Sequence, residues 1–313
     1  MQENPLVQSS RIIGNPSPRC KVNPSRIFAR VKHCAARRNF LLLPRLICRQ
    51  WYDENLTEKE ARFQQIVSPS DGGSMNHEKT LAGQVALITG ASRGIGFAIA
   101  RRLGQMGARV SICARNSSKI EEAAINLRAA GVEVLASQTD VTREDQISNL
   151  FQKTQQTFGP LDILVNNAGI GLFGPFQNQS EADWDTVLNT NLKSVFLMSR
   201  AVAPEMIRRK TGHIINISSL AGKNTFVNGA VYCASKWGLL GLTGCMAEEL
   251  RAHGIRVSAI CPGSVATEFS GQSAKDPEKA LQPEDVAHAV AALVTQAPGS
   301  FISEVHIRPT RKP

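Results

Sequence analysis

Thr89-Gly90-Ala91-Ser92-Arg93-Gly94-Ile95-Gly96 directly follows the apolar run Val85-Ala86-Leu87-Ile88, and this junction decides the fold. The run reads as a buried strand that delivers a glycine-rich turn into a helix beginning near Ile95. Glycines at such a turn let backbone N–H groups approach a pyrophosphate, and the helix N-terminus adds partial positive charge there. An ordinary tight turn would use the same glycines, so the remainder of the chain has to separate the two readings.

From Val85 onward, β-rich runs alternate with amphipathic helical runs. Strands are expected at 85–89, 109–114, 132–137, 162–166, 212–218, 255–260 and 303–308, and helices at 95–106, 118–130, 143–158, 181–209, 231–253 and 283–296. Nearly continuous apolar, β-branched strands alternating with helices indicate a parallel sheet covered on both faces. Right-handed crossovers make it a doubly wound α/β (Rossmann) domain of seven parallel strands over residues 80–308, with 309–313 as a tail. Its ligand crevice lies beyond the carboxyl ends of the strands.

The chain has 313 residues and a formal net charge of +10, but the charge is local. Residues 1–50 hold ten Lys/Arg against the single acid Glu3, leaving residues 51–313 close to neutral. Nucleic-acid binding by the folded part is therefore not supported. Residues 1–75 are basic, Pro-interrupted and without sustained periodicity, ending on a linker-like Ser68-Pro69-Ser70-Asp71-Gly72-Gly73-Ser74. They read as an organelle transit segment, as a basic arm for an acidic partner, or as a non-native extension with translation starting at Met75; we take the third. That leaves a cytoplasmic protein, with an organelle as the alternative. Seven cysteines form no C-x-x-C pair and have no His companions at metal-ligand spacing, so reduced thiols and no metal site are expected. No apolar run approaches the length of about 18 residues that spans a membrane.

A dinucleotide fold that prefers NAD places Asp or Glu at the end of the second strand, for the ribose 2′-OH. Here Val110-Ser111-Ile112-Cys113 is followed by Ala114, Arg115 and Asn116, with no carboxylate. Arg115, and Arg93 in the glycine turn, suit a 2′-phosphate, which accepts charge-assisted hydrogen bonds from guanidinium groups. A solvated surface charge is the plainer fate of each arginine; their joint placement points to NADP(H). Further on, Tyr232 and Lys236 stand four apart in a helical run, so both project from one face. A phenol that exchanges protons near neutrality must be drawn down from its ordinary value of about 10, which takes about 4 kcal/mol. A neighbouring ammonium in a partly dry cleft supplies much of that.

The glycine turn, Asn166-Asn167-Ala168-Gly169, Ser218-Ser219 and the Tyr232/Lys236 pair together resemble the short-chain dehydrogenase/reductase family, over roughly residues 80–308. Among its members the 3-oxoacyl-(acyl-carrier-protein) reductases are nearest in overall pattern. The resemblance implies an NADP(H)-dependent oxidoreductase that interconverts ketone or aldehyde carbonyls and alcohols. Tyr232 is then the proton donor, Lys236 lowers its pKa and holds the nicotinamide ribose, and Ser219 orients the carbonyl. Ser218 is the neighbouring alternative to Ser219, and Asn189 the alternative to Asn191, which supports a water-linked proton relay from Lys236.

By the same resemblance the cofactor lies on Gly90, Ser92, Arg93, Gly94, Ile95, Gly96, Arg115, Asp140, Val141, Asn167, Ala168, Gly169, Tyr232, Lys236, Pro262, Gly263, Val265 and Thr267. Asp140 reads equally as a strand-end cap, and Asn166 as a tie between strands. Cys233, Trp184 and Trp237 read as packing residues. The family's habit implies a homodimer or homotetramer through the long helices.

Two departures bear on substrate. The connection from Glu268 to Gln282 is short, which suggests an open site, and the C-terminus lacks the Gly-rich ending typical of the 3-oxoacyl reductases. A 3-oxoacyl thioester and a small ketone, aldehyde or sugar-derived carbonyl stay open. Two other classes compete: a redox sensor that binds NADP without turnover, which has no need of Ser219, Tyr232 and Lys236 together, and a nucleic-acid-associated protein, which rests on the leader alone.

Overall fold

The computed structural model describes residues 80–269 and 276–311; the basic leader of residues 1–75 lies outside the described residues. One seven-stranded sheet organises them. Its strands are β1 (Val85–Thr89), β2 (Arg109–Ala114), β3 (Val134–Gln138), β4 (Ile163–Asn166), β5 (Gly212–Ile217), β6 (Ile255–Pro262) and β7 (Glu304–Ile307). They stand in the order β3-β2-β1-β4-β5-β6-β7, and every pair is parallel.

Seven α-helices connect them: α1 (Gly94–Gln105), α2 (Ser117–Ala129), α3 (Glu144–Phe158), α4 (Glu181–Leu188), α5 (Ser194–Arg209), α6 (Ala230–Leu250) and α7 (Pro283–Val294). The two faces of β1 show why its run is apolar throughout. Ala86 and Ile88 join α1, α2 and α7 in one core, while Val85 and Leu87 join α3, α5 and α6 in the other. A strand covered on both faces has no polar alternation to display. Local chemistry fixes the helix starts. The Asn116 side chain accepts from the Lys119 N–H at the head of α2, and Ser180 with Asp183 forms a capping box on α4.

One expectation fails within a helix. The run 181–209 is not a single helix but α4 and α5 joined by a π turn at Asn189–Lys193. An extra residue widens the helix locally at this turn, and such insertions cluster at functional sites. Here it carries Asn191.

The chain leaves β1 toward β2 and β3 on one side, then restarts at β4 on the other. That reversal opens the crevice at the carboxyl ends of β1 and β4. The glycine turn hangs over this point.

Candidate active site

The glycine turn is wedged against the segment that follows β4. A Cβ at Gly90 would stand 2.8 Å from the Ala168 Cα, and one at Gly96 2.5 Å from the Gly90 carbonyl oxygen, so neither position has room for a side chain. Asn167 braces the turn, donating through Nδ2 to the Thr89 and Gly90 carbonyl oxygens at 2.9 and 3.1 Å. Thr89 Oγ1 in return accepts from the N–H groups of Asn167 and Ala168, both at 3.0 Å. No side chain caps α1, and the first-turn N–H groups of any helix lack an intrahelical acceptor. An anion of pyrophosphate size fits that combination. Ser92 and Ile95 lie in the same turn, and the Thr267 methyl would stand 3.3 Å from a Cβ at Gly94.

The two arginines part company. Arg115, exposed just past β2, makes no side-chain ion pair among the described residues. Arg93 pairs with Glu268, the residue after Thr267. A carboxylate from the segment after β6 therefore competes with a phosphate for one of the two guanidinium groups. Asp140 serves as a cap, accepting from the N–H and hydroxyl of Thr142 at 2.9 and 2.8 Å, with Val141 buried beside it. Asn166 is a tie between strands and helix, donating to Asn216 Oδ1 at 2.9 Å and Ser199 Oγ at 3.2 Å. Pro262 ends β6, the Gly263 N–H donates to the Ile307 carbonyl at 2.8 Å, and Val265 bridges to Leu281.

Ser219, Tyr232 and Lys236 come together beyond β5. Ser219 stands near enough to the Tyr232 hydroxyl to favour its ionised form, and the Lys236 Nζ lies 5.8 Å from the centre of the phenol ring. Lys236 is buried and donates to the Ile217 carbonyl oxygen at 3.0 Å. Ser218 faces elsewhere, its hydroxyl 3.4 Å from the Lys236 carbonyl oxygen on α6. Successive residues leaving a strand point to opposite sides, and Ser219 is the one turned to the phenol.

Asn191 uses its whole side-chain amide locally. It accepts from the Ile170 N–H at 2.8 Å and donates to the Ile170 carbonyl at 2.8 Å and to Ser235 Oγ at 3.0 Å. It thus pins the loop after β4 beside Lys236: a Cβ on Gly169 would be 3.3 Å from Asn191 Oδ1 and 3.7 Å from Lys236 Nζ. Ser235 was not foreseen, because a serine inside a helical run gives no signal of its partner.

The electrostatics correct a second expectation. Burial pushes the Tyr232 phenol up to about 12, although Ser219 pulls the other way. The same burial brings Lys236 down to about 8. Within the polypeptide, the loss of water around both groups outweighs the ammonium's pull on the phenol, which is therefore not drawn toward 7.

Three further arrangements were not visible in the linear spacing. Phe173 and Phe269 stand edge-on to the Tyr232 ring, and Phe226 packs on Phe173, the three coming from different loops. Cys261, Glu304 and His306 meet on adjacent strands, each offering a ligand atom within 4.8 Å of the others. The Lys223 ammonium already sits 2.9 Å from that carboxylate. Trp184 and Trp237, read as packing residues, are 47% and 51% exposed, because nothing in the described chain covers those faces of α4 and α6. Cys233 is buried, as small filler would be.

The sequence model of the short chain dehydrogenase family matches residues 84–278. The chain belongs to this family. An uncharacterized oxidoreductase of Staphylococcus aureus is 34% identical over 229 residues, covering 73% of this chain and 98% of the relative. The ketoacyl reductase HetN of a Nostoc species is 42% identical over 187 residues, covering 60% of this chain and 65% of the relative. A crystal structure of a metagenomic short-chain oxidoreductase in complex with NADP is 49% identical, covers 74% of this chain and 100% of its own, and superposes with a TM-score of 0.67. This short-chain dehydrogenase is accordingly an oxidoreductase, and no helix of its described residues is long and apolar enough to cross a membrane.

Proposed function

We propose that this short-chain dehydrogenase reduces a ketone or aldehyde to an alcohol, reversibly, with NADPH as the hydride donor and Tyr232 as the proton donor. The observation that carries the reading is the contact set Ser219–Tyr232–Lys236 at the carboxyl edge of the sheet. The reduced nicotinamide, when bound, supplies the hydride to the carbonyl carbon. Tyr232 gives its phenolic proton to the oxygen, and a solvent proton then restores the phenol. Ser219 is placed to hold that oxygen by hydrogen bond.

The nucleotide would lie with its pyrophosphate on the uncapped start of α1 and its 2′-phosphate on Arg115. Lys236 would hold the ribose hydroxyls near Gly169. The NADP bound by the metagenomic relative supports this assignment, and HetN's name as a ketoacyl reductase supports carbonyl chemistry. Exposed Phe196 and Trp237 on the long helices α5 and α6 suit self-association through those faces.

The test is Tyr232→Phe in the full chain. Turnover of NADPH with a carbonyl substrate should fall about 1,000-fold, while NADPH affinity by fluorescence titration stays unchanged. Near-normal turnover in that variant would overturn the reading.

A further inference from the structure

Two aromatic rings flank the Tyr232 phenol and a third packs behind one of them, one from each loop at the crevice edge. Phe173 follows β4, Phe226 follows β5 and Phe269 follows β6. The Phe173 ring stands edge-on to Tyr232 at 5.4 Å between centroids, and Phe269 does so from another side at 5.8 Å. Phe226 completes the group at 5.8 Å from Phe173. All three are open to solvent, at 44%, 49% and 37% exposure, beside a phenol that is buried. Apolar rings left open around the proposed proton donor form the mouth through which the reacting carbonyl must enter.

The mouth is held in shape. The Gly174 N–H donates to the Asn228 carbonyl at 3.0 Å, tying the first loop to the second. Phe226 lies so close over Gly229 that a Cβ there would meet its ring at 2.5 Å. Gly229 immediately precedes α6, which carries Tyr232, so this ring and the phenol are set by the same piece of backbone.

The charges around it are equally informative. From Gly169 to Gln179, and from Asn224 to Ser235, the chain has no Lys, Arg, Asp or Glu. Lys223 is paired with Glu304, and Glu268 with Arg93. Among the described residues of these three loops, no unpaired cation stands ready for a phosphate group.

We propose that Phe173, Phe226 and Phe269 are the specificity-determining residues of this enzyme. They select an uncharged carbonyl compound with an aryl or alicyclic ring beside the reacting carbon, over a phosphate-bearing acyl thioester. The proposal rests on Tyr232 being the proton donor. Edge-to-face contact with such a ring continues the pattern that Phe173 and Phe269 already make with the phenol and that Phe226 extends through Phe173. Within the described residues of these loops a phosphopantetheine arm finds no free cation for its charge; Lys275 of the loop after β6 lies outside the described residues.

The experiment compares kcat/KM for acetophenone, cyclohexanone, butan-2-one and acetoacetyl-coenzyme A, with NADPH and the full chain. The ring ketones should exceed both other substrates at least tenfold. Phe226→Ala and Phe173→Ala should each reduce the ring-to-chain ratio about tenfold, through KM more than kcat. Phe226→Leu, which keeps apolar volume without the ring face, should reduce it by a smaller factor. NADPH affinity, measured on each variant, reports that the fold is intact.

A preference for acetoacetyl-coenzyme A, or a ring-to-chain ratio unchanged in all three variants, overturns the proposal while leaving Tyr232 as the proton donor. If Tyr232→Phe keeps turnover, or no carbonyl compound is reduced by a chain that binds NADPH, the underlying reading fails and this one with it.

Discussion

The two halves of the crevice are built on opposite principles. On the side of β1 and β4 the chain uses small residues, and backbone meets backbone. Gly90 and Gly96 leave no room for a Cβ, and Thr89 and Asn167 lock the turn with four hydrogen bonds. At the buried phenol beyond β5 it uses large side chains, with Phe226 and Phe269 from the β5 and β6 loops, and Phe173 from further along the β4 loop, standing open there. On the proposed function the first half would hold a nucleotide that is the same in every catalytic cycle, which rigid backbone suits. The second would meet the substrate, where shape is set by side chains that substitution can change without moving the backbone.

If that division is real, a charge reversal in the first half should alter the nucleotide and nothing else. Arg115→Asp removes a charge-assisted contact to the 2′-phosphate and puts a carboxylate in its place. Charge-assisted hydrogen bonds are worth about 1.5–3 kcal/mol each, so NADPH affinity should fall about 100-fold. NADH affinity should hold or improve, since its 2′-OH can donate to the new carboxylate. Among NADPH-saturated enzymes, the ranking of carbonyl substrates should stay as in the parent. Equal NADPH affinity for parent and variant would break the assignment of Arg115.

The same division explains what the sequence discloses. Backbone-built features leave local signatures. The seven strands stand within about two residues of their expected places, because each is an apolar run closed by a turn. Tyr232 and Lys236 are one helical turn apart, and Ser219 sits where β5 runs out. Features made by convergence leave none. Phe173, Phe226 and Phe269 are scattered over nearly a hundred residues, and only the sheet order makes their loops neighbours. Glu268 gives no hint that it will take Arg93, nor does Cys261 that it will meet Glu304 and His306. The pKa of Tyr232 could not be foreseen either, because spacing reveals the nearby ammonium but not how dry the site is. The π turn at Asn189–Lys193 escaped for a different reason: one inserted residue hardly alters the hydrophobic period of a long run.

A second test asks whether the halves can fail separately, given that they share one sheet. His213 on β5 is buried between β4 and β6. Its Nε2 meets Ser258 Oγ at 2.9 Å, and that hydroxyl donates to the Ile302 carbonyl at 2.7 Å, so His213 is the donor and its Nδ1 is left bare. Burial, together with the nearby Arg256, brings it down from 6.5 to about 3.

The folded state therefore refuses a proton that the unfolded chain accepts below 6.5. The stability tied to the neutral ring is whole above 6.5 and declines as pH falls toward 3, by about 1.4 kcal/mol per pH unit. Between pH 7.5 and 5, urea unfolding should register a loss of about 2 kcal/mol that His213→Gln largely lacks. NADPH binding and carbonyl turnover should collapse at one common urea midpoint at each pH. Separate midpoints would mean that the two halves are independent in stability as well as in design.

The smallest effect concerns an ion pair that crosses between the halves. Arg93 belongs to the glycine turn and Glu268 to the segment beside Phe269, and their ion pair spans the crevice. Both side chains are mostly exposed, so the pair is worth no more than about 1 kcal/mol and salt weakens it further. Glu268→Gln should free Arg93 for the 2′-phosphate and tighten NADPH at most about fivefold, with NADH unchanged. That gain should shrink as ionic strength rises, because screening releases Arg93 in the parent as well. A loss of NADPH affinity would instead mean that the carboxylate helps to hold Arg93 where the phosphate meets it, so that the segment beside the substrate takes part in recognising the nucleotide.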